Sequence, residues 1–210
     1  MGRVLFATLG FDADLVLRRV RSGNEYTKIK CLGLRVDDTS FKRVENAFST
    51  VKFVAERLGI SAELRALEPG RGLMRGILAE IEREAAIGEV EVYLSGGPRL
   101  LVVATLIATL LVDLHFIENI LIVVEGEAFE GEIRSKADWL KELVKLSGEE
   151  VNILNYVAGK GRVKPPDLVR DLDIPKATAY KKLRKFTERK FLKEESDGYT
   201  LSEHFLEILF

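Results

Sequence analysis

From Val4 to Glu125 the apolar pattern switches repeatedly between a period near two and a period near 3.6 residues, and this alternation constrains the fold more than any other feature. Val4–Thr8, Ile29–Val36, Ala62–Leu67, Val90–Leu94 and Ile120–Glu125 read as strands. Asp12–Arg21, Phe41–Leu58, Leu73–Ile87 and Leu100–Asp113 read as the helices between them. Parallel strands need crossover connections, and helices of this length supply them. The order predicts an α/β, Rossmann-like domain with a mainly parallel sheet and helices on both faces. Leu100–Val112 is apolar on nearly every side, which suits a helix buried on the sheet and at a subunit interface. Phe129–Arg134 reads as one further strand.

The pattern changes after Arg134. Lys136–Leu146 is helical and carries the only Trp, Trp139. Ser147-Gly148 marks a break with a cap before Glu149. Short helices follow over Glu149–Ala158, Asp167–Leu172 behind Pro165-Pro166, and Lys176–Lys190 behind Pro175. Phe191–Glu195 and Tyr199–Leu201 flank Asp197-Gly198 as a hairpin, and Glu203–Phe210 reads as a closing helix. The predicted organisation is residues 1–135 as one domain, 136–146 as a linker helix, and 147–210 as a small α+β winged helix-turn-helix domain.

The 210 residues carry 32 Lys+Arg and 33 Asp+Glu, a net charge of −1 that argues against indiscriminate coating of nucleic acid. Locally the balance differs. Lys176–Lys190 holds seven basic residues and one acid, Glu188. Ala179, Leu183 and Phe186 form its apolar stripe, and the basic residues lie off it. A basic helix after a short helix and a tight turn is the recognition helix of the winged helix-turn-helix order. Thr178, Tyr180, Lys181 and Arg184 are the candidate contacts to base edges of double-stranded DNA. Lys176, Lys182 and Lys185 are the candidate phosphate contacts. Glu194, Glu195 and Asp197 make the wing acidic, which phosphate would repel.

A doubly wound sheet binds ligands at the carboxyl ends of its strands, where the strand order reverses. Two glycine-bearing turns fall there: Leu9-Gly10-Phe11-Asp12 after the first strand and Ser95-Gly96-Gly97-Pro98-Arg99 after the fourth. Glycine lets backbone approach a ligand closely. Gly96 and Gly97 amides at a helix start, with the Arg99 guanidinium, offer an anion site. Ser95 adds a hydroxyl, and Pro98 suits the first helical turn. Asp37-Asp38-Thr39-Ser40 follows the second strand, where Thr39 and Ser40 are candidate helix caps.

Other chemistries find little support. Cys31 is the only Cys, so neither a disulfide framework nor a cysteine metal cluster fits, and it reads as core. His115 and His204 fall in different predicted domains; no metal spacing and no nucleophile elbow is present. Gly70, Gly72 and Gly76 are spaced wrongly for a dinucleotide fingerprint and read as a loop entering a helix. No catalytic residue is assigned, and no cofactor or metal is expected. The longest apolar run, Leu100–Val112, is short of the roughly 20 residues of a bilayer span. The expectation is a soluble, cytoplasmic protein without a membrane partner. Gln is absent, which fits a thermophile composition.

Leu9-Gly10-Phe11-Asp12 after the first strand, Ser95-Gly96-Gly97-Pro98-Arg99 after the fourth, and a C-terminal winged helix together resemble the CRISPR-associated CARF-domain transcriptional regulators of archaea. The resemblance spans nearly the whole chain. It implies a homodimer whose two CARF domains share a pocket on the two-fold axis for a cyclic oligoadenylate, cyclic tetra-adenylate in this group. Leu9, Gly10, Phe11 and Asp12 would line the pocket, and Ser95, Gly96, Gly97, Pro98 and Arg99 would hold phosphate and ribose. The winged helices would bind promoter DNA of CRISPR loci. Two alternatives stay open: a ring nuclease cleaving the same ligand, and a regulator sensing another nucleotide. The Arg-x4-His motif of ribonuclease-bearing relatives is missing at both His115 and His204.

Overall fold

A computed structural model describes residues 2–22, 25–126, 131–203 and 205. The chain divides into two compact units, Met1–Lys141 and Glu142–Phe210. The first unit alternates β1 (Arg3–Leu9), α1 (Asp14–Arg21), β2 (Tyr26–Leu34), α2 (Asp38–Arg57), β3 (Ser61–Leu67), α3 (Leu73–Ala85), β4 (Val90–Tyr93), α4 (Arg99–Leu111), a short α5 (Leu114–Ile117), β5 (Ile120–Glu125) and β6 (Glu132–Lys136). The unit boundary falls within α6 (Ala137–Val144), slightly beyond the sequence-based edge at residue 135.

The sheet order is β3-β2-β1-β4-β5-β6. β1 to β5 run parallel, and β6 pairs antiparallel with β5. This is a Rossmann-like α/β arrangement, and the order reverses between β1 and β4, as the sequence predicts. Period-two alternation sorts each strand between two cores. Leu5, Ala7 and Leu9 of β1 pack with Val16, Leu17 and Val20 of α1 and Phe41, Val44 and Val51 of α2. Phe6 of the same strand packs on the other face with Ile77 and Ile81 of α3 and Leu101, Ala104 and Ala108 of α4. The outer side of α4 stays apolar and exposed at Leu100, Val103, Ile107 and Leu111.

Charge replaces apolar side chains at two buried places. Arg19 of α1 is 2% exposed. Its Nε donates to Glu91 Oε1 of β4 at 2.5 Å, and its Nη1 donates to Glu132 Oε2 of β6 at 2.7 Å. The Tyr26 hydroxyl donates to Glu91 Oε1 at 2.6 Å. Burial opposes the guanidinium charge, but bonding to Glu91 outweighs it and raises its pKa. Burial and the neighbouring Glu91 carboxylate likewise push the Tyr26 hydroxyl up. On the opposite face Lys30 Nζ of β2 lies 2.8 Å from Glu63 and Glu80 and 2.7 Å from Glu84.

The second unit holds α7 (Gly148–Lys160), α8 (Pro165–Leu172), α9 (Lys176–Glu188) and an antiparallel hairpin of β7 (Leu192–Glu195) and β8 (Gly198–Leu201). Ser147 caps α7 in a reciprocal capping box with Glu150. Val163 forms a bridge to Tyr199, adding a third extended segment beside the hairpin. The closing helix read over Glu203–Phe210 lies outside the described residues except for Glu203 and Phe205.

Removing the buried Glu91 carboxylate leaves the Arg19 guanidinium with its contact to Glu132 and takes away its shorter, fully buried partner, which is costly. Glu91→Gln is expected to lower unfolding stability by about 3–5 kcal/mol. Urea titration checks this; a loss under about 1 kcal/mol would contradict a net role for the pair.

Candidate functional site

The β1 and β4 turns meet backbone to backbone. A Cβ placed on Gly10 would lie 3.1 Å from Gly97 Cα, and one on Gly96 would lie 3.0 Å from the Thr8 carbonyl oxygen. Gly97 has φ +88°, and its added Cβ would lie 3.2 Å from the Leu9 carbonyl carbon. Thr8 Oγ1 donates to the Gly96 carbonyl at 2.5 Å. These glycines let two turns touch, in addition to leaving backbone open to a ligand.

A cavity of about 730 Å³ opens at this junction. Gly10, Phe11 and Asp12 line it from the first turn and Gly96, Gly97 and Pro98 from the second. Asp14, Leu15 and Arg18 of α1 complete the wall. Phe11, Asp12, Asp14 and Arg18 are exposed. Asp12 Oδ1 accepts the Asp14 backbone N–H at 2.9 Å, which fixes the start of α1. The cavity thus presents both carboxylates and a guanidinium. Such a set suits a ligand with phosphates and with donor groups such as ribose hydroxyls.

Three sequence-derived site residues are placed differently. Leu9 is fully buried in the core and lines no part of this cavity. Ser95 is 7% exposed, and its Oγ accepts the Glu125 backbone N–H at 2.6 Å. Its hydroxyl joins β4 to β5 and is turned into the fold. Beside it the Tyr93 hydroxyl donates to Glu125 Oε2 at 2.5 Å, and burial with that carboxylate raises the Tyr93 pKa. Arg99 is the first residue of α4 and exposed, outside the lining of this cavity. Pro98 occupies the cap position instead of the first helical turn. Arg18 is the cation that the sequence reading missed. Its position four residues after Asp14, about one helical turn along α1, was the available signal.

Asp37, not Thr39 or Ser40, caps α2: its Oδ1 accepts the Ser40 N–H at 2.8 Å. That bond also lowers the Asp37 pKa. The helix begins at Asp38, so Thr39 and Ser40 both lie inside its first turn. Cys31 is buried, and burial pushes its thiol up to about 12. His115 is exposed, its Nδ1 2.6 Å from Asp113 Oδ1; His204 lies outside the described residues. Among the described residues, no group of three or more His, Cys, Asp or Glu is placed to hold a metal, and no helix is long and apolar enough to cross a membrane.

In the second unit α9 buries Ala179, Leu183 and Phe186, the stripe read from sequence. Lys176, Tyr180, Lys181 and Arg184 are exposed, and Thr178 is half-buried. Two of the candidate phosphate contacts are engaged within the unit. Lys182 Nζ lies 2.9 Å from Glu149, and Lys185 Nζ lies 3.0 Å from Glu150. Glu150 also accepts the Ser147 N–H, and these contacts hold its carboxyl at about 2. The helical spacing of α9 that turns Ala179 and Leu183 inward also turns Lys182 toward α7. A cavity of about 670 Å³ lies beside Tyr180, Lys181 and Arg184, facing Glu194 and Tyr199 of the hairpin. Arg162 pairs with Glu195 and lies 2.7 Å from Asp197, so the acidic wing carries its own counter-charge.

Because Gly97 has φ +88° and an added Cβ would press on the Leu9 backbone at 3.2 Å, Gly97→Ala is expected to destabilise by about 1–3 kcal/mol. Guanidinium unfolding of the full chain measures it; an unchanged midpoint would mean that the two turns separate without cost.

A family model described as Csa3 CRISPR-associated Rossmann-like domain matches residues 3–136. No curated protein matches the chain. The match covers β1 through β6, including both glycine turns of the cavity. By its sheet order, its turns and this match, the chain belongs to the family of the Csa3 CRISPR-associated Rossmann-like domain.

Proposed function

We propose that this chain is a CRISPR-linked transcription regulator. Its first unit binds a cyclic oligoadenylate, cyclic tetra-adenylate, in a pocket shared by a homodimer. Its second unit is a winged helix that binds promoter DNA through α9. The observation that carries the reading is the glycine-lined cavity at the β1/β4 reversal, with Arg18 on its wall. Dinucleotides and phosphate ligands collect at that place in open α/β sheets. Arg99, at the first turn of α4, is a cation for a ligand that extends past one chain.

The exposed apolar stripe of α4 supports the homodimer. Leu100, Val103, Ile107 and Leu111 repeat at helical spacing, and a row of large apolar side chains is better covered by a second copy than left in water. The order α7, α8, α9, β7, β8 supports the winged helix. Asp173 in the left-handed conformation makes the tight turn between α8 and α9. Lys176, Lys181 and Arg184 are exposed on α9, so we assign DNA contact to them, with Thr178 and Tyr180 toward bases. Lys182 and Lys185 hold α9 to α7 instead. The reading makes the protein a binder and regulator, not an enzyme. Ligand binding alters DNA affinity to the extent that it favours one dimer arrangement over another.

Calorimetry with cyclic tetra-adenylate tests the pocket. The expected stoichiometry is about one ring per two chains, with the ring recovered intact by chromatography. Arg18→Ala and Arg99→Ala are each expected to weaken binding about ten-fold or more. Absence of binding to the wild type would sink the ligand assignment, and a cleaved ring would make the protein a nuclease.

Electrophoretic titration of duplex DNA at several salt concentrations tests the helix. Lys181→Ala is expected to weaken binding and reduce the salt slope by about one ion. Lys182→Ala is expected to leave DNA affinity near wild type and lower stability modestly. The reverse pattern would place DNA on another surface.

A further inference from the structure

Phe11 is the least expected side chain at the pocket. It sits in a polar turn, and the residue is 51% exposed. The Arg43 guanidinium of α2 lies over that ring, 3.9 Å from its centroid. Among the described residues Arg43 makes no ion pair, so the stack on Phe11 holds it in place without anchoring it. Phe11 also forms a wall of a second cavity of about 420 Å³. The far side of that cavity is one face of α2: Arg43, Asn46, Ala47 and Thr50, at spacings of three, four and seven residues. The Thr50 hydroxyl donates back to the Asn46 carbonyl at 3.4 Å, and Ala47 is small, so Arg43 and Asn46 supply the polar reach of this face. Asp12 closes the end nearest the glycine turns.

A flat aromatic ring already stacked by a flat cation is a site for a third planar group. Bases stack on aromatic rings and on guanidinium planes alike. An asparagine amide offers one donor and one acceptor side by side, which matches N7 and the N6 amine of adenine and mismatches a purine carrying oxygen at position 6. We propose that Phe11, Arg43 and Asn46 form an adenine subsite next to the glycine turns. The base enters between Phe11 and Arg43, the guanidinium moves outward to about 7 Å from the ring plane, two stacking distances, and Asn46 reads the N6/N7 edge. The side chain of Arg43 is long and exposed, so this movement needs no backbone shift. The subsite rests on the cyclic oligoadenylate reading of the pocket. It adds base recognition by α2 to phosphate recognition by the two turns.

The test is calorimetry with cyclic tetra-adenylate and with the same ring carrying hypoxanthine in place of adenine. Wild type is expected to bind the adenine ring more tightly. Phe11→Leu and Asn46→Ala are each expected to weaken it about ten-fold. Phe11→Trp is expected to bind within a few-fold of wild type, because the stacking plane is kept. In Asn46→Ala the preference for adenine over hypoxanthine should vanish. Phe11 and Asn46 are exposed, so thermal unfolding midpoints should stay unchanged across the set. If wild type binds and the leucine and alanine variants bind equally well, the subsite is wrong while the pocket assignment stands. If wild type binds neither ring, both fail.

Discussion

Everything at the candidate site depends on two backbone turns lying in contact. Gly10 and Gly97 are close enough that a Cβ on either would lie 3.1–3.2 Å from the opposing main chain, tighter than an ordinary contact. The Thr8 hydroxyl bridges to the Gly96 carbonyl across the same gap. The contact is possible because β1 and β4 are neighbours while their helices leave to opposite faces of the sheet. A crevice opens where neighbouring crossovers diverge in this way. Here both turns at that crevice carry glycine, at Gly10, Gly96 and Gly97.

The opposite ends of the strands are held by charge. Arg3 and Tyr26 at the starts of β1 and β2 meet Glu91, the second residue of β4, and Arg19 completes the cluster. A buried network of this kind gives less net stability than its bonds suggest, because each ion loses water first. Its geometric effect is larger. It ties α1 to β4, and α1 carries Arg18 to the cavity wall. Arg18 therefore sits on a helix whose start is tied by the Asp14 N–H bond to Asp12 and whose later turn is tied by Arg19 to Glu91.

Much of the architecture was legible from residue pattern. Period-two runs gave the parallel strands, and the 3.6-residue runs gave four helices whose ends moved by a few residues at most. The reversal between β1 and β4, the glycine turns, the Ser147 cap and the buried stripe of α9 all follow from spacing and turn chemistry. Individual polar side chains were less legible. Ser95 looks like a ligand hydroxyl in sequence but serves the β5 backbone. Lys182 and Lys185 look like phosphate contacts but pair with Glu149 and Glu150. Each partner lies tens of residues away, and local periodicity carries no information about it.

Arg18 and Arg19 show the division most sharply. The sequence determined that both lie on one amphipathic helix after a glycine turn, because helical spacing is a local property. It also determined the strand and helix order, and hence the class of fold, because only a few topologies accommodate repeated β-α units. The tertiary structure alone decided that Arg19 turns inward to Glu91 and Arg18 outward to the cavity. It likewise decided that Phe11 meets Arg43, and that the α4 stripe stays uncovered in the single chain. Those outcomes depend on which distant carboxylate, ring or face lies opposite. Adjacent residues on a helix point about 100° apart, so neighbours in sequence meet different surroundings once the sheet is in place.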